Sequence, residues 1–119
     1  MKQTRILIIA KAPIPGFCKT RLAPAIGTEA AARLARRMLR DTVDAACSAS
    51  VGPVELCVTP GVEAFDWPSL NLPASVAWSD QGDGDLGERM HRALGRALTR
   101  HHKALLIGTD APALNADVL

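Results

Sequence analysis

Aromatic residues make up only 3% of this 119-residue chain, which excludes the exposed ring platforms on which single-stranded nucleic acids stack. A surplus of one charge is lacking too. Fourteen basic residues stand against twelve acidic ones, and the two signs alternate, so no nucleic-acid partner is expected. The three cysteines (Cys18, Cys47, Cys57) are odd in number and show no metal-ligand spacing, which predicts reduced thiols and a cytoplasmic location. Long apolar runs are missing as well. Five apolar residues follow Arg5 before Lys11 interrupts, too few for a signal core or a membrane span, so no membrane partner is expected. There is no Ser-His-Asp or HExxH pattern, internal repeat, low-complexity tract or linker. A single domain over residues 1–119 is the expectation.

What is present is an ordinary globular balance, 48% hydrophobic and 22% charged. Runs at residues 5–10 (RILIIA), 54–59 (VELCVT), 75–79 (SVAWS) and 103–109 (KALLIGT) predict strands. Residues 28–46 and 85–101 carry apolar side chains at helical spacing, Thr28 can cap the first, and residues 112–119 open another. Residues 61–74, with Pro68 and Pro73, read as irregular. Strands alternating with helices imply an α/β fold, a mainly parallel sheet flanked by helices.

Ligands of such sheets bind beyond the carboxyl ends of the strands. The segments following strands one, three and four are "KAPIPGFCKTRL", "DQGDGDLG" and "DAP", the polar and glycine-rich parts of the chain. The first ends like a Walker A loop, but that motif needs glycine where Pro13 and Cys18 stand. Proline offers no N–H to a phosphate, and Pro24 and Gly27 argue for continued loop where a P-loop would enter its helix. A P-loop hydrolase is therefore disfavoured. What remains is Lys11, Lys19 and Arg21 on a loop stiffened by Pro13 and Pro15 and turned at Gly16, suited to a di- or triphosphate. Solvated loop lysines are the competing reading.

In the second segment Gln81 could read a base edge, while Gly82 and Gly84 would let a ring approach backbone. Asp85 and Glu88 have capping-box spacing, and Asp80 and Asp83 read as loop solvation. Asp110 ends the fourth strand, where a hard oxygen ligand could hold Mg²⁺ or Mn²⁺ against phosphates; capping the next helix is the alternative. The stripes Arg33, Arg37, Arg40 and Arg92, Arg96, Arg100 read as solvated helix faces, and His101 and His102 as residues suited to a helix end.

With these residues in view, "KAPIPGFCKTRL", "DQGDGDLGERM" and "LLIGTDAPAL" resemble, in order and spacing, motifs of an uncharacterised transferase family, the radical SAM/selenodomain-associated type. "KTRLAP" also resembles the 2-phospholactate guanylyltransferases. Both resemblances imply a Rossmann-like nucleotide-diphospho-sugar transferase fold, glycosyltransferase-A-like. They imply a metal-dependent transferase taking a nucleoside triphosphate or nucleotide-sugar and a small acceptor. Lys11, Gly16, Lys19 and Arg21 would hold phosphates, Gln81, Gly82 and Gly84 the base, and Asp110 the Mg²⁺ or Mn²⁺. Lys19 and Asp110 would serve catalysis. The family pattern continues with a DGGY-like segment beyond Leu119, so the chain reads as the N-terminal part of such a domain, truncated at its C-terminus. The alternative is a non-catalytic nucleotide- or partner-binding domain that self-associates as a homodimer through an exposed sheet edge.

Overall fold

A computed structural model of the chain describes residues 4–16 and 23–109. Four strands, β1 (Thr4–Lys11), β2 (Val54–Thr59), β3 (Ala77–Asp80) and β4 (Lys103–Gly108), form one sheet in the order β3-β2-β1-β4. Every pairing is parallel, with Ile8 level with both Leu56 and Ile107. The helices are a single turn, α1 (Ala23–Ile26), then α2 (Thr28–Ala49) and α3 (Leu86–Leu98). The α/β expectation holds.

The alternation of a strand divides β1 between two cores. Ile6, Ile8 and Ala10 join Leu39, Val43 and Ala46 of α2, with Leu56, Val58 and Trp67. Leu7 faces the other way, onto Cys57 and Ala93 and Ala97 of α3. Both faces of β1 and β2 are thus covered, which is why residues 6–10 are continuously apolar and β2 departs from that pattern only at Glu55 and its terminal Thr59. Cys47 and Cys57 are free thiols.

Three local expectations change. Thr28 is the first residue of α2, not its cap. Gly27 occupies that position at φ 87°, a left-handed value open to glycine, and no side chain caps the helix. Pro24 does not keep its segment a loop, because the first helical turn needs no proline N–H. The irregular segment before β3 contains a 3-10 turn, Trp67–Leu70, started at Pro68 and stopped by Asn71 at φ 53°. Both ends of that turn enter the core. Trp67 is 1% exposed, donates Nε1–H to the Gly61 carbonyl at 3.3 Å, and meets Phe65 edge-on with ring centroids 4.9 Å apart.

On the α3 face a polar seam crosses the amino-terminal half of the sheet. Glu55, 5% exposed, accepts from Arg5 Nε and Nη2 at 3.1 and 2.9 Å through Oε1. Its Oε2 accepts from Ser79 Oγ at 2.5 Å and Arg96 Nη2 at 2.9 Å. Burial alone would raise this carboxyl's pKa. The hydrogen bonds from Ser79, Arg96 and Arg5, with the Arg5 charge, outweigh it and hold the group below its ordinary value. Arg96 is held above its ordinary value by the same Glu55 contact. Arg96 stays exposed on its helix face but ends on this carboxylate.

Candidate functional site

In the order β3-β2-β1-β4 the chain's direction of travel across the sheet reverses between β1 and β4. That switch point is where open parallel sheets bind ligands. Lys11 ends β1 there, exposed, and pairs with Thr59 at the end of β2. Residues 12–16 begin the loop that follows β1. Ala12 N–H donates to Thr59 O at 2.9 Å, Ile14 N–H donates to Ala12 O at 2.8 Å, and Gly16 turns the chain at φ 82°. Cys18, Lys19, Arg21 and Asp110, to which the sequence assigns a thiol, phosphate, catalytic and metal roles, lie outside the described residues.

Gln81 follows β3 and organises this edge. It is 3% exposed. Its amide nitrogen donates to Ala10 O at 2.9 Å and Cys57 O at 3.2 Å, and its backbone N–H donates to Val58 O at 3.0 Å. With its carboxamide nitrogen committed to carbonyls of two strands, Gln81 braces this edge from beneath. Gly82 and Gly84 remain exposed, at φ 77° and 102°. A Cβ on Gly82 would stand 2.5 Å from Arg92 Nη1 and push that flexible guanidinium aside, while the left-handed backbone is what favours glycine here.

Sequence reasoning missed the arginines that clamp this loop. Arg89 Nη1 donates to Gln81 Oε1 at 3.3 Å. Arg92 donates from Nη1 to Gln81 O at 2.7 Å and from Nη2 to Asp83 O at 3.0 Å. Arg92 was expected on a solvated stripe, yet it sits two turns into α3 and reaches back over the helix start. The available signal was position: a long donor near an N-terminus whose preceding loop is rich in glycine and bare carbonyls. The capping box itself is present, Glu88 N–H donating to Asp85 Oδ1 at 2.8 Å and Asp85 N–H to Glu88 Oε1 at 3.0 Å. Asp80 also has structural work, since its Oδ1 accepts the Val62 N–H at 2.7 Å.

Among the described residues no three acidic, histidine or cysteine side chains gather as a metal cage. No described helix is long and apolar enough to cross a membrane.

A parallel α/β sheet with a glycine-rich loop and a cation at its carboxyl edge is an architecture of the nucleotide-binding α/β class. The chain is similar over 99% of its length to a solved structure from Desulfovibrio desulfuricans G20, described as a "putative nucleotide-diphospho-sugar transferase", with a TM-score of 0.85 and 29% identity. It covers 52% of that structure's chain, about half its length. The chain belongs to the family described as "uncharacterized protein conserved in bacteria" (DUF2064), whose model matches residues 42–119. No curated protein matches it.

Proposed function

We propose that this chain is the donor-binding part of a transferase that uses a nucleotide-activated donor, a nucleotide-sugar first and a nucleoside triphosphate second. The observation that carries the proposal is the Gln81 brace, which fixes the glycine loop after β3 to the end of β1. It puts the stiff loop beginning at Lys11 and the bare backbone at Gly82 and Gly84 on one edge. In this reading Lys11, Lys19 and Arg21 neutralise the donor phosphates, Gly16 lets the loop turn around them, and the glycines of residues 82–84 admit a flat ring. Asp110 follows Gly108 by two residues, and Gly108 pairs with Ile9 beside the switch point. One carboxylate there, with phosphate oxygens and water, is the donor set by which Mg²⁺ is commonly held, so a metal would arrive with the donor rather than reside in a protein cage. The bound metal would supply charge stabilisation on the leaving phosphate. The chain's own share is positioning and electrostatics. The finer kinship, to the selenodomain-associated transferases or the guanylyltransferases, belongs to this proposal as well.

A thermal-shift and calorimetric screen of nucleotide-sugars and nucleoside triphosphates, with Mg²⁺ or Mn²⁺, tests it. A ligand at a hundredfold its Kd stabilises by about 2.7 kcal/mol, and Lys19→Ala should weaken that ligand by about tenfold. Unchanged affinity in Lys19→Ala removes the phosphate role.

A second reading, a self-associating binding domain without turnover, is favoured by one observation. Among the described residues β4 pairs only with β1, leaving its outer edge open, and Leu105 on it is 39% exposed. Sedimentation as a dimer with no turnover would support that reading over the enzyme.

A further inference from the structure

Glu55 stands four residues before the end of β2, roughly 13 Å below the carboxyl edge, at a rise of about 3.3 Å per residue. A cleft of about 300 Å³ opens beside it, lined by Arg5, Glu55, Ser79, Arg96, Arg100 and His101 among others. Three guanidinia and one carboxylate line it, so the cleft keeps two positive charges. A buried ion pair is a poor stabilising device, because the cost of desolvating the charges offsets most of their attraction. It is a good device for holding guanidinia in place. Glu55 takes Nε and Nη2 of Arg5 and Nη2 of Arg96, which also meets Ser79 Oγ at 3.2 Å, and Cys57 adds a further contact to the Arg96 guanidinium; among the described residues Nη1 of Arg5 has no hydrogen-bond partner. The Arg100 side chain has no hydrogen bond or ion pair among the described residues. His101 lines the same wall, its Nδ1 buried with no hydrogen-bond partner among the described residues.

We infer that this cleft is a second anion site, built for a phosphate group, either inorganic phosphate or the head of a small phosphate monoester, and separate from the edge at Lys11. Two net positive charges match a group carrying about −1.5 to −2 at neutral pH. Planar forks suit its oxygens better than ammonium groups do. The volume lies at the small end of ligand sites, which run from about 300 Å³ upward.

The test is an NMR titration of the 119-residue chain with inorganic phosphate at constant pH and ionic strength, following the His101 ring and the amides of Arg5, Glu55 and Ser79. These resonances should shift together and saturate. In Arg100→Gln, whose side chain has no hydrogen-bond or ion-pair partner among the described residues, the affinity should fall by about tenfold, the loss of one charge-assisted contact. Phosphate that moves only the residues around Lys11, or that binds Arg100→Gln as tightly as the unaltered chain, overturns the inference.

Discussion

Gln81 donates its side-chain amide to the Ala10 carbonyl at 2.9 Å, reaching across β2 from the end of β3 to the end of β1. The same nitrogen meets Cys57 O on the intervening strand at 3.2 Å. One residue therefore laces three strand ends whose own hydrogen bonding is running out, at the place where the loops of the candidate site begin.

Replacing Gln81 with leucine keeps the volume and removes the donors. Two carbonyls at the edge then lose their partner, which should cost about 1–3 kcal/mol in urea unfolding at pH 7. Gln81→Glu should be worse at neutral pH, because it sets carboxylate oxygen against carbonyl oxygen, and should partly recover as the acid is protonated. If Gln81→Leu is as stable as the unaltered chain, the brace is dispensable.

Two glycines near α3 should respond in opposite ways. Alanine at Gly82 meets a left-handed backbone and Arg92 Nη1 at 2.5 Å, so a loss of about 1–3 kcal/mol is expected, with Arg92 displaced from the loop carbonyls. Gly95 lies within α3, and a Cβ there meets nothing within 4 Å. Gly95→Ala should therefore stabilise by about 0.5–1 kcal/mol through helix propensity. Thermal melts of the two variants check both signs at once.

The sheet was readable in the sequence because both faces of β1 and β2 are covered, so apolar residues fill 6–10 and β2 departs from them only at Glu55 and its terminal Thr59. The capping box was readable because its spacing is local. Trp67 and Leu70 were not, since a single 3-10 turn has no period to detect and its burial depends on where α2 lies. The same distinction governs the candidate site. Loop order showed that KAPIPG and DQGDG meet at one edge. It could not show that Gln81 turns inward, or where the Arg92 and Arg96 side chains end. Those outcomes depend on carbonyls at Ala10, Cys57, Gln81 and Asp83 and a carboxylate at Glu55 that lie 9 to 71 residues away from their donors. Period and composition carry no record of such partners.

Stability should fall in acid partly through Glu55. Its folded pKa is lowered by Ser79, Arg96 and Arg5 despite burial, so its contribution is fully present above the ordinary value of about 4.3 and is lost as pH falls through the folded value. Glu55→Gln should be less stable at pH 7 by about 2 kcal/mol, the worth of charge-assisted bonds, although Arg96 is 44% exposed and keeps some solvation. The gap should narrow when both proteins are unfolded by urea near pH 3. A gap that is constant with pH would mean the carboxylate's charge is not what Arg5 and Arg96 sense.

The start of α3 couples the capping box to the loop clamp. Asp85→Ala removes the acceptor for Glu88 N–H and should cost about 1 kcal/mol, visible as a Tm lower by several degrees. Arg92→Ala removes two donors from the Gln81 and Asp83 carbonyls. If the clamp needs a firm first turn, the double variant should lose less than the two single losses combined. The coupling should be about 0.5 kcal/mol or more, above the scatter of independent sites. Strict additivity would separate the two devices. Arg92 would then hold the loop from a helix that stays formed without its cap, and the residues 81–84 would depend on the guanidinium alone.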